Sequence, residues 1–338
     1  MTEQIKIEYC TAEARMEVMR FIDSHWRAGH IMATNCELFD FMHKKHDGSY
    51  DFLVARNGES VVGVLGLVRS MQYCDALRDE GDIWLVLWKS IGDLGVGVSL
   101  LQKACECQKS VSAIGINDKV AKLYKFLGFN VVEVPQYYIL NCALGEYKIA
   151  NVPAKETEIN MGDGRAFLSK LSAEELRSFR IESGYRPRKT CEYLIRRYAS
   201  HPIYKYDFFG VSDAKDGPLT SVLVTRKISV GASSCLRIVD WIGEFWRQGS
   251  LFSDFQALLK DENAEYVDCL NYGIDEAAFN RLGFDRLQPS GSVVIPQYFE
   301  PFERRNVVIK AAVLNPTDDE YVIFKGDSDQ DRPNRRPL

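Results

Sequence analysis

Between a strand-like run, Asp82 to Trp88, and a helical run lies the segment Gly92-Asp93-Leu94-Gly95-Val96-Gly97. A strand, a glycine turn and a helix in that order form a device for holding phosphate. The first helical amides have no intrahelical partner and carry about half an elementary positive charge. Glycines at 95 and 97 let a backbone come close to an anion. Gly-x-Gly alone fits a tight turn equally well; the buried strand before it and a second strand–helix junction after it, at Asn117, add weight. Other chemistries find less support. The 5 histidines are scattered, without metal-ligand spacing, and no Ser-His-Asp arrangement can be assembled from them. The run Asp327-Ser328-Asp329-Gln330-Asp331 starts like a calcium loop, but Arg332 replaces the required glycine and no Glu follows at the twelfth position. It reads as a solvated end. The alternative is a polar loop folding back toward a hydroxyl-rich acceptor, anchored by the apolar run Tyr321 to Phe324.

Position is supplied by the flanking elements. Ile5 to Tyr9 alternates as a strand does, and Thr11 caps a helix with Met19, Ile22 and Trp26 on one stripe. A short helix, Glu37 to His43, precedes a hairpin, Tyr50 to Arg56 and Ser60 to Val68, turned at Asn57-Gly58. After Asp82 to Trp88 and the glycine turn come a helix facing the core with Leu94, Val98, Leu101 and Cys105 and a strand, Ser112 to Ile116. An Asp118-capped helix then stops at Gly128, and Phe129 to Val134 and Gln136 to Leu140 close the unit as two strands.

A second stretch repeats this order. Tyr206-Asp207-Phe208-Phe209 echoes Tyr50-Asp51-Phe52-Leu53, and Leu282-Gly283-Phe284 echoes Leu127-Gly128-Phe129. Pro296-Gln297-Tyr298-Phe299 echoes Pro135-Gln136-Tyr137-Tyr138. Such ordered echoes imply an internal duplication. The boundaries that follow are 1–145, a linker 146–164, a second domain 165–326 and a polar tail 327–338.

The chain of 338 residues fits two domains of roughly 150 residues each. Its 46% hydrophobic and 26% charged residues are those of a globular protein. With 42 basic and 47 acidic residues the net charge is −5, which gives no footprint for nucleic acid or an anionic membrane. No apolar run approaches the roughly 20 residues of a membrane helix, and MTEQIKIEYC lacks the apolar core of a signal peptide. The 9 cysteines show no CxxC spacing and read as free thiols of a cytoplasmic protein.

The element order resembles the GNAT acyltransferase superfamily. Asp82 to Leu101 resembles its acyl-CoA pyrophosphate motif, written Gln or Arg, two residues, Gly, one residue, Gly or Ala. Asn117 to Phe129, with Ala121, Leu123-Tyr124 and Gly128-Phe129, resembles the motif after it. The likeness covers residues 3–142 in full, and the second stretch in fold only. Gly92 stands where the family has Gln or Arg, and Asp93 puts a negative charge beside the proposed phosphates.

The resemblance implies an α/β (mixed α+β) fold of two tandem GNAT-like domains, each with a central splayed mixed sheet flanked by helices. It implies acetyl-CoA as donor, its pyrophosphate on Leu94, Gly95, Val96, Gly97 and Val98, with Asn117 on the same side. The thioester carbonyl would meet backbone amides around Leu87 and Trp88, and a substrate amine would attack it directly. Tyr124 matches the family's general acid, and a phenol suits that task because it stays protonated at neutral pH. His25, His30 and Asp82 are candidates for the general base, and His30, Asn35 and Asp82 for acceptor contacts, because the early helix–loop region and central strand border the acceptor cleft in that family. Aligned on Leu-Gly-Phe, Tyr124 falls on Phe279, and the second turn, Phe245 to Ser250, keeps one glycine. The second half is therefore expected to bind no CoA and to serve as a platform.

The expected acceptor is a small-molecule amine. A nucleotide-linked amino sugar is preferred, from the likeness of the duplicated chain to proteins of surface-polysaccharide biosynthesis. No metal, nucleic acid or membrane partner is expected, and the protein is read as a monomer or homodimer. One alternative is an aminoacyltransferase of the peptidoglycan-bridge type; the acidic balance counts against the charged tRNA it would need. The other is a non-catalytic, degenerate GNAT binding module, favoured by Gly92 and Asp93 and disfavoured by Tyr124 and Asn117.

Overall fold

The computed structural model describes residues 5–92, 94–106, 108–153, 159–315 and 320–334. Its first half contributes β1 (Lys6–Cys10), α1 (Arg15–Phe21), α2 (Ile31–Thr34), α3 (Cys36–His43), β2 (Tyr50–Asn57), β3 (Ser60–Arg69) and β4 (Asp82–Ser90). There follow α4 (Leu94–Cys105), β5 (Ser110–Ile114), α5 (Asp118–Phe126), β6 (Asn130–Val134) and β7 (Gln136–Leu140). The second half adds β8 (Phe167–Leu171), α6 (Ala173–Leu176), α7 (Cys191–Leu194), β9 (Asp207–Ser212), β10 (Ser221–Val230) and β11 (Ser233–Gly243). It ends with α8 (Phe252–Asp261), β12 (Ala264–Tyr272), α9 (Glu276–Leu282), β13 (Asp285–Arg286), β14 (Ile309–Leu314) and β15 (Ile323–Phe324).

Two mixed sheets result, ordered β1-β2-β3-β4-β5-β14-β6 and β8-β9-β10-β11-β12-β7-β13. Position by position the two orders match, with the seventh strand of each half, β7 and β14, lying in the other half's sheet. Gln136–Leu140 does not close the first sheet, as its place in the chain implied: it pairs antiparallel with Tyr266 to Leu270 of β12. Its place is taken by β14, a strand the sequence reading did not find, which pairs with β5 and β6. Pro135 stands between β6 and β7 and, lacking an N–H, interrupts the ladder where the chain leaves one sheet for the other. A boundary at residue 145 thus divides the chain but not the sheets.

Each sheet buries its outer face under two helices. Leu100, Leu101 and Ala104 of α4 and Tyr124 of α5 cover the first; Phe255 and Leu259 of α8 and Phe279 and Leu282 of α9 cover the second. The inner faces share one core, in which Val54, Val64 and Val86 join Val222, Val224 and Val239. Strands covered on both sides have no polar face to show, which is why Asp82 to Trp88 reads as a nearly unbroken apolar run.

Local signals hold with small shifts. Ser172 and Glu175 form a capping box at the start of the one-turn helix Ala173–Leu176, and Asp275 caps α9. The α5 cap is Asn117, not Asp118: its side chain accepts from the amides of Lys119 and Val120. Among the described residues no helix is long and apolar enough to cross a membrane.

The tail departs furthest from expectation. Asp327 is 1% exposed and Asp331 8%, so this is no solvated end. Acidic residues tolerate burial only when paired. Asp327 meets the ammonium of Lys189, and Asp331 accepts from Arg226 at 2.6 Å and from the Tyr206 hydroxyl at 2.8 Å. Arg197 Nε donates to the Gly326 carbonyl at 2.9 Å.

Candidate active site

The parallel pair β4 and β5 is bonded only at its start, Asp82 to Trp84 against Ser110 to Ser112. Past Trp84 no pairing of the two strands continues and the sheet opens. Where it opens, β4 bulges: Gly66 faces Val86 and Val64 faces Lys89, so Leu87 and Trp88 together oppose Leu65. Leu87 takes φ +48°, a left-handed conformation that costs a bulky residue roughly 1–3 kcal/mol. A bulge leaves its extra residue out of the ladder and re-aims the backbone. The bulge therefore falls at the residues nominated for the thioester carbonyl.

After β4 the chain turns at Gly92, with φ +80° and no atom near its absent side chain, and α4 begins at Leu94. Asp93 lies outside the described residues. The two glycines of the helix differ in use. Gly95 is exposed. Gly97 is buried, and a Cβ there would lie 3.1 Å from Ser90 Oγ and 3.5 Å from Trp88 Nε1. Its missing side chain lets α4 press on β4, a packing role that the spacing of glycines does not reveal. Val96 is buried and Val98 half-buried.

Tyr124 is 2% exposed, its ring centroid 5.7 Å from that of Trp88 and 4.8 Å from that of Phe129. Its hydroxyl has no hydrogen-bond partner among the described residues. Unlike the unpartnered hydroxyls of Tyr73 and Tyr266, it is not sealed from solvent, so it can donate to a group that enters beside the ring. Burial pushes the phenol well above its ordinary value, and it holds its proton at neutral pH.

The remaining candidates are drawn into structural work. Asn117 uses its side-chain oxygen as the α5 cap, at 3.0 and 3.1 Å. His30, 2% exposed, accepts from the Met32 amide through Nδ1 at 3.2 Å, and burial pushes it down to about 4, leaving it neutral. Asn35 caps α3 by accepting from the Leu38 amide at 2.9 Å. Asp82 accepts from Ser110 Oγ at 2.6 Å, Arg186 Nη1 at 2.9 Å and the Arg188 amide at 3.0 Å. It stands at the paired start of β4 and clamps the second half onto the first. His25 is exposed, with its ring 4.7 Å from Phe21. The structure groups Leu87, Trp88, Gly97 and Tyr124 and leaves His30, Asn35 and Asp82 in other bonds.

The second half shows the same parting strands, closed. β11 and β12 pair in parallel as far as Ile238 and Cys269, and β11 bulges where Val224 faces Asp240 and Thr225 faces Ile238. Here β15 enters the gap: Phe324 pairs with Asn271, Ile323 with Tyr272, and the Gly326 amide donates to the Val239 carbonyl at 2.8 Å. Phe324 is fully buried. The turn that corresponds to the glycine turn is covered too. The Ser250 amide donates to the Asp163 carbonyl at 2.8 Å, and the Arg165 backbone lies against Gly249. Phe279, in place of a phenol, is fully buried and stacks on Tyr137 at 3.9 Å. Only the anchoring of Tyr321 to Phe324 pointed in sequence to this plug. On its way there the tail passes the first opening, where the Tyr321 hydroxyl and Ser112 Oγ share a hydrogen bond of 2.7 Å.

Two mixed sheets of matching strand order, each with a parallel central pair that parts past its first residues, give the chain the fold of the GNAT N-acetyltransferases. It is similar to the GCN5-related N-acetyltransferase from Anabaena variabilis, at TM-score 0.53 and 10% identity, over 92% of this chain and 73% of that one. The GCN5-related N-acetyltransferase from Kribbella flavida aligns at TM-score 0.50 and 13% identity, over 92% and 71%. At these identities the likeness is one of fold. No family model matches the sequence, and no curated protein matches it.

Proposed function

We propose that the first half is an acyl-CoA-dependent N-acyltransferase, with acetyl-CoA as donor. The observation that carries this reading is the opening between β4 and β5 at a bulge whose Trp88 ring lies 5.7 Å from Tyr124. Acyl-CoA supplies a thioester and a diphosphate. The first-turn amides of α4, with Gly95 exposed, would hold the diphosphate, and the bulge amides at Leu87 and Trp88 would face the thioester carbonyl. A neutral amine attacks that carbonyl, a C–N bond forms, the C–S bond breaks, and Tyr124 gives its phenolic proton to the leaving sulfur; the nitrogen sheds its extra proton to solvent, from which the phenolate is reprotonated. The acceptor is a small-molecule amine; a nucleotide-linked amino sugar is the class the sequence resemblance favours. The plugged gap and covered turn of the second half support its reading as a platform that takes no CoA, and as the second copy of an internal duplication.

A second reading, a binding module without turnover, is favoured by the Trp88 indole lying against Gly97. Thermal unfolding with acetyl-CoA tests both at once: a ligand at 100 times its Kd stabilises by about 2.7 kcal/mol. Stabilisation together with thiol release from an amine panel supports the transferase. Stabilisation without release favours the module, and no stabilisation refutes both.

A further inference from the structure

Between the second sheet, the segment from Gln297 to Glu300 and the returning tail lies a cavity of about 390 Å³. Cations line it, and most are matched. Arg237 is held by Asp268 at 2.6 Å, Arg226 by Asp331 at 2.6 Å and Arg332 by Asp329 at 2.9 Å. Lys325 is not. It is 3% exposed, and its ammonium has no ion pair or hydrogen bond among the described residues; the Tyr298 ring lies 6.0 Å away. Its carboxylate neighbours, Asp268 and Asp331, are already engaged by arginines. Burial, with Arg237 and Arg226 close by, pushes the lysine down to about 7.

A second observation points the same way. Gln297 also lines the cavity, is 2% exposed, and both its amide atoms lack partners. Buried polar groups are nearly always bonded, and an unpaired buried charge is costlier still. A lysine and an amide left unmet around one space ask for a ligand with negative oxygen. Gln330, which also lines the cavity, packs its amide on Gly115, just past β5.

We propose that this cavity binds a small molecule through an oxyanion, a phosphate ester or a carboxylate, paired to Lys325 with the Gln297 amide beside it. The site is independent of the acyl-transfer reading. Titration calorimetry of the full chain with inorganic phosphate, pyrophosphate and succinate tests it. Saturable binding of at least one is expected, and the arm that binds separates a phosphate ligand from a carboxylate. K325M should weaken it about ten- to a hundred-fold, the loss of a charge-assisted bond. Binding near pH 8 should take up a proton in the parent chain, because the anion restores the ammonium, and none in K325M. Without ligand K325M should be at least as stable as the parent, since it removes a buried amine that meets no partner among the described residues. Failure of all three anions to bind overturns the proposal. So does binding unchanged in K325M, which places the anion elsewhere, or a K325M protein that unfolds at lower urea, which makes the lysine part of the scaffold.

Discussion

Tyr124→Phe isolates one oxygen atom. Because the hydroxyl has no partner among the described residues, its removal leaves nothing unpaired behind. The ring keeps its contacts with Trp88 and Phe129. Folding stability should therefore move by less than about 1 kcal/mol. Catalysis should not be spared. A positioned general acid contributes roughly 10²–10⁴-fold, or about 3–5 kcal/mol of barrier. Turnover should fall by that factor while the KM for acetyl-CoA holds, since the lost bond forms only as the sulfur leaves. The assay is thiol release over a panel of amines, run beside a urea unfolding curve. Turnover within threefold of the parent would remove the acid role. A fall matched by a lower urea midpoint would show the hydroxyl to be structural instead.

Lys189→Met should cost about 3–5 kcal/mol by urea unfolding, because it leaves Asp240 and Asp327 buried without their shared cation. Asp327 predicts a pH effect. Burial raises its carboxyl to about 6, above the unfolded value near 3.9, so the folded state favours its protonated form. The stability it contributes is complete below about pH 4 and disappears as pH rises through 6; Asp327→Asn should flatten the unfolding midpoint across that window. Asn117→Ala should lose about 1 kcal/mol of stability through the α5 cap. Asp118→Ala should lose clearly less, because Asp118 is exposed and its side chain bonds, among the described residues, only to the half-buried Lys310.

What could be read in sequence was local. The hairpin at Asn57-Gly58, the glycine turn into α4 and the central strand all carry their signal within a few residues. The exchange of β7 and β14 does not, because an apolar run specifies a pleated face and not its neighbour. Ile309–Leu314 hides further behind small residues, Ala311 and Ala312, that weaken a strand signal. The tail misled for a related reason. Its density of aspartates reads as hydration until Lys189, Arg197 and Arg226, each more than a hundred positions away, close around it. Asn117 and Asp118 are both good caps, and only backbone geometry chose between them. Of the site, spacing marked only the glycine turn with Gly97; it was the resemblance to the acyltransferase family that implied Leu87, Trp88 and Tyr124 as its neighbours. Neither could show that His30, Asn35 and Asp82 are engaged elsewhere, since a buried acceptor and a free base have the same letter.

The crossing at Pro135 makes a knot of dependence out of what the residue order presents as two beads on a string. Cut anywhere in the seam after residue 145, each fragment would keep a strand that belongs to its sibling's sheet and lack one of its own. Neither piece could be grown, studied or inherited alone without an open edge, so melting should be a single event, and any recombination that shuffles one half must bring its counterpart along.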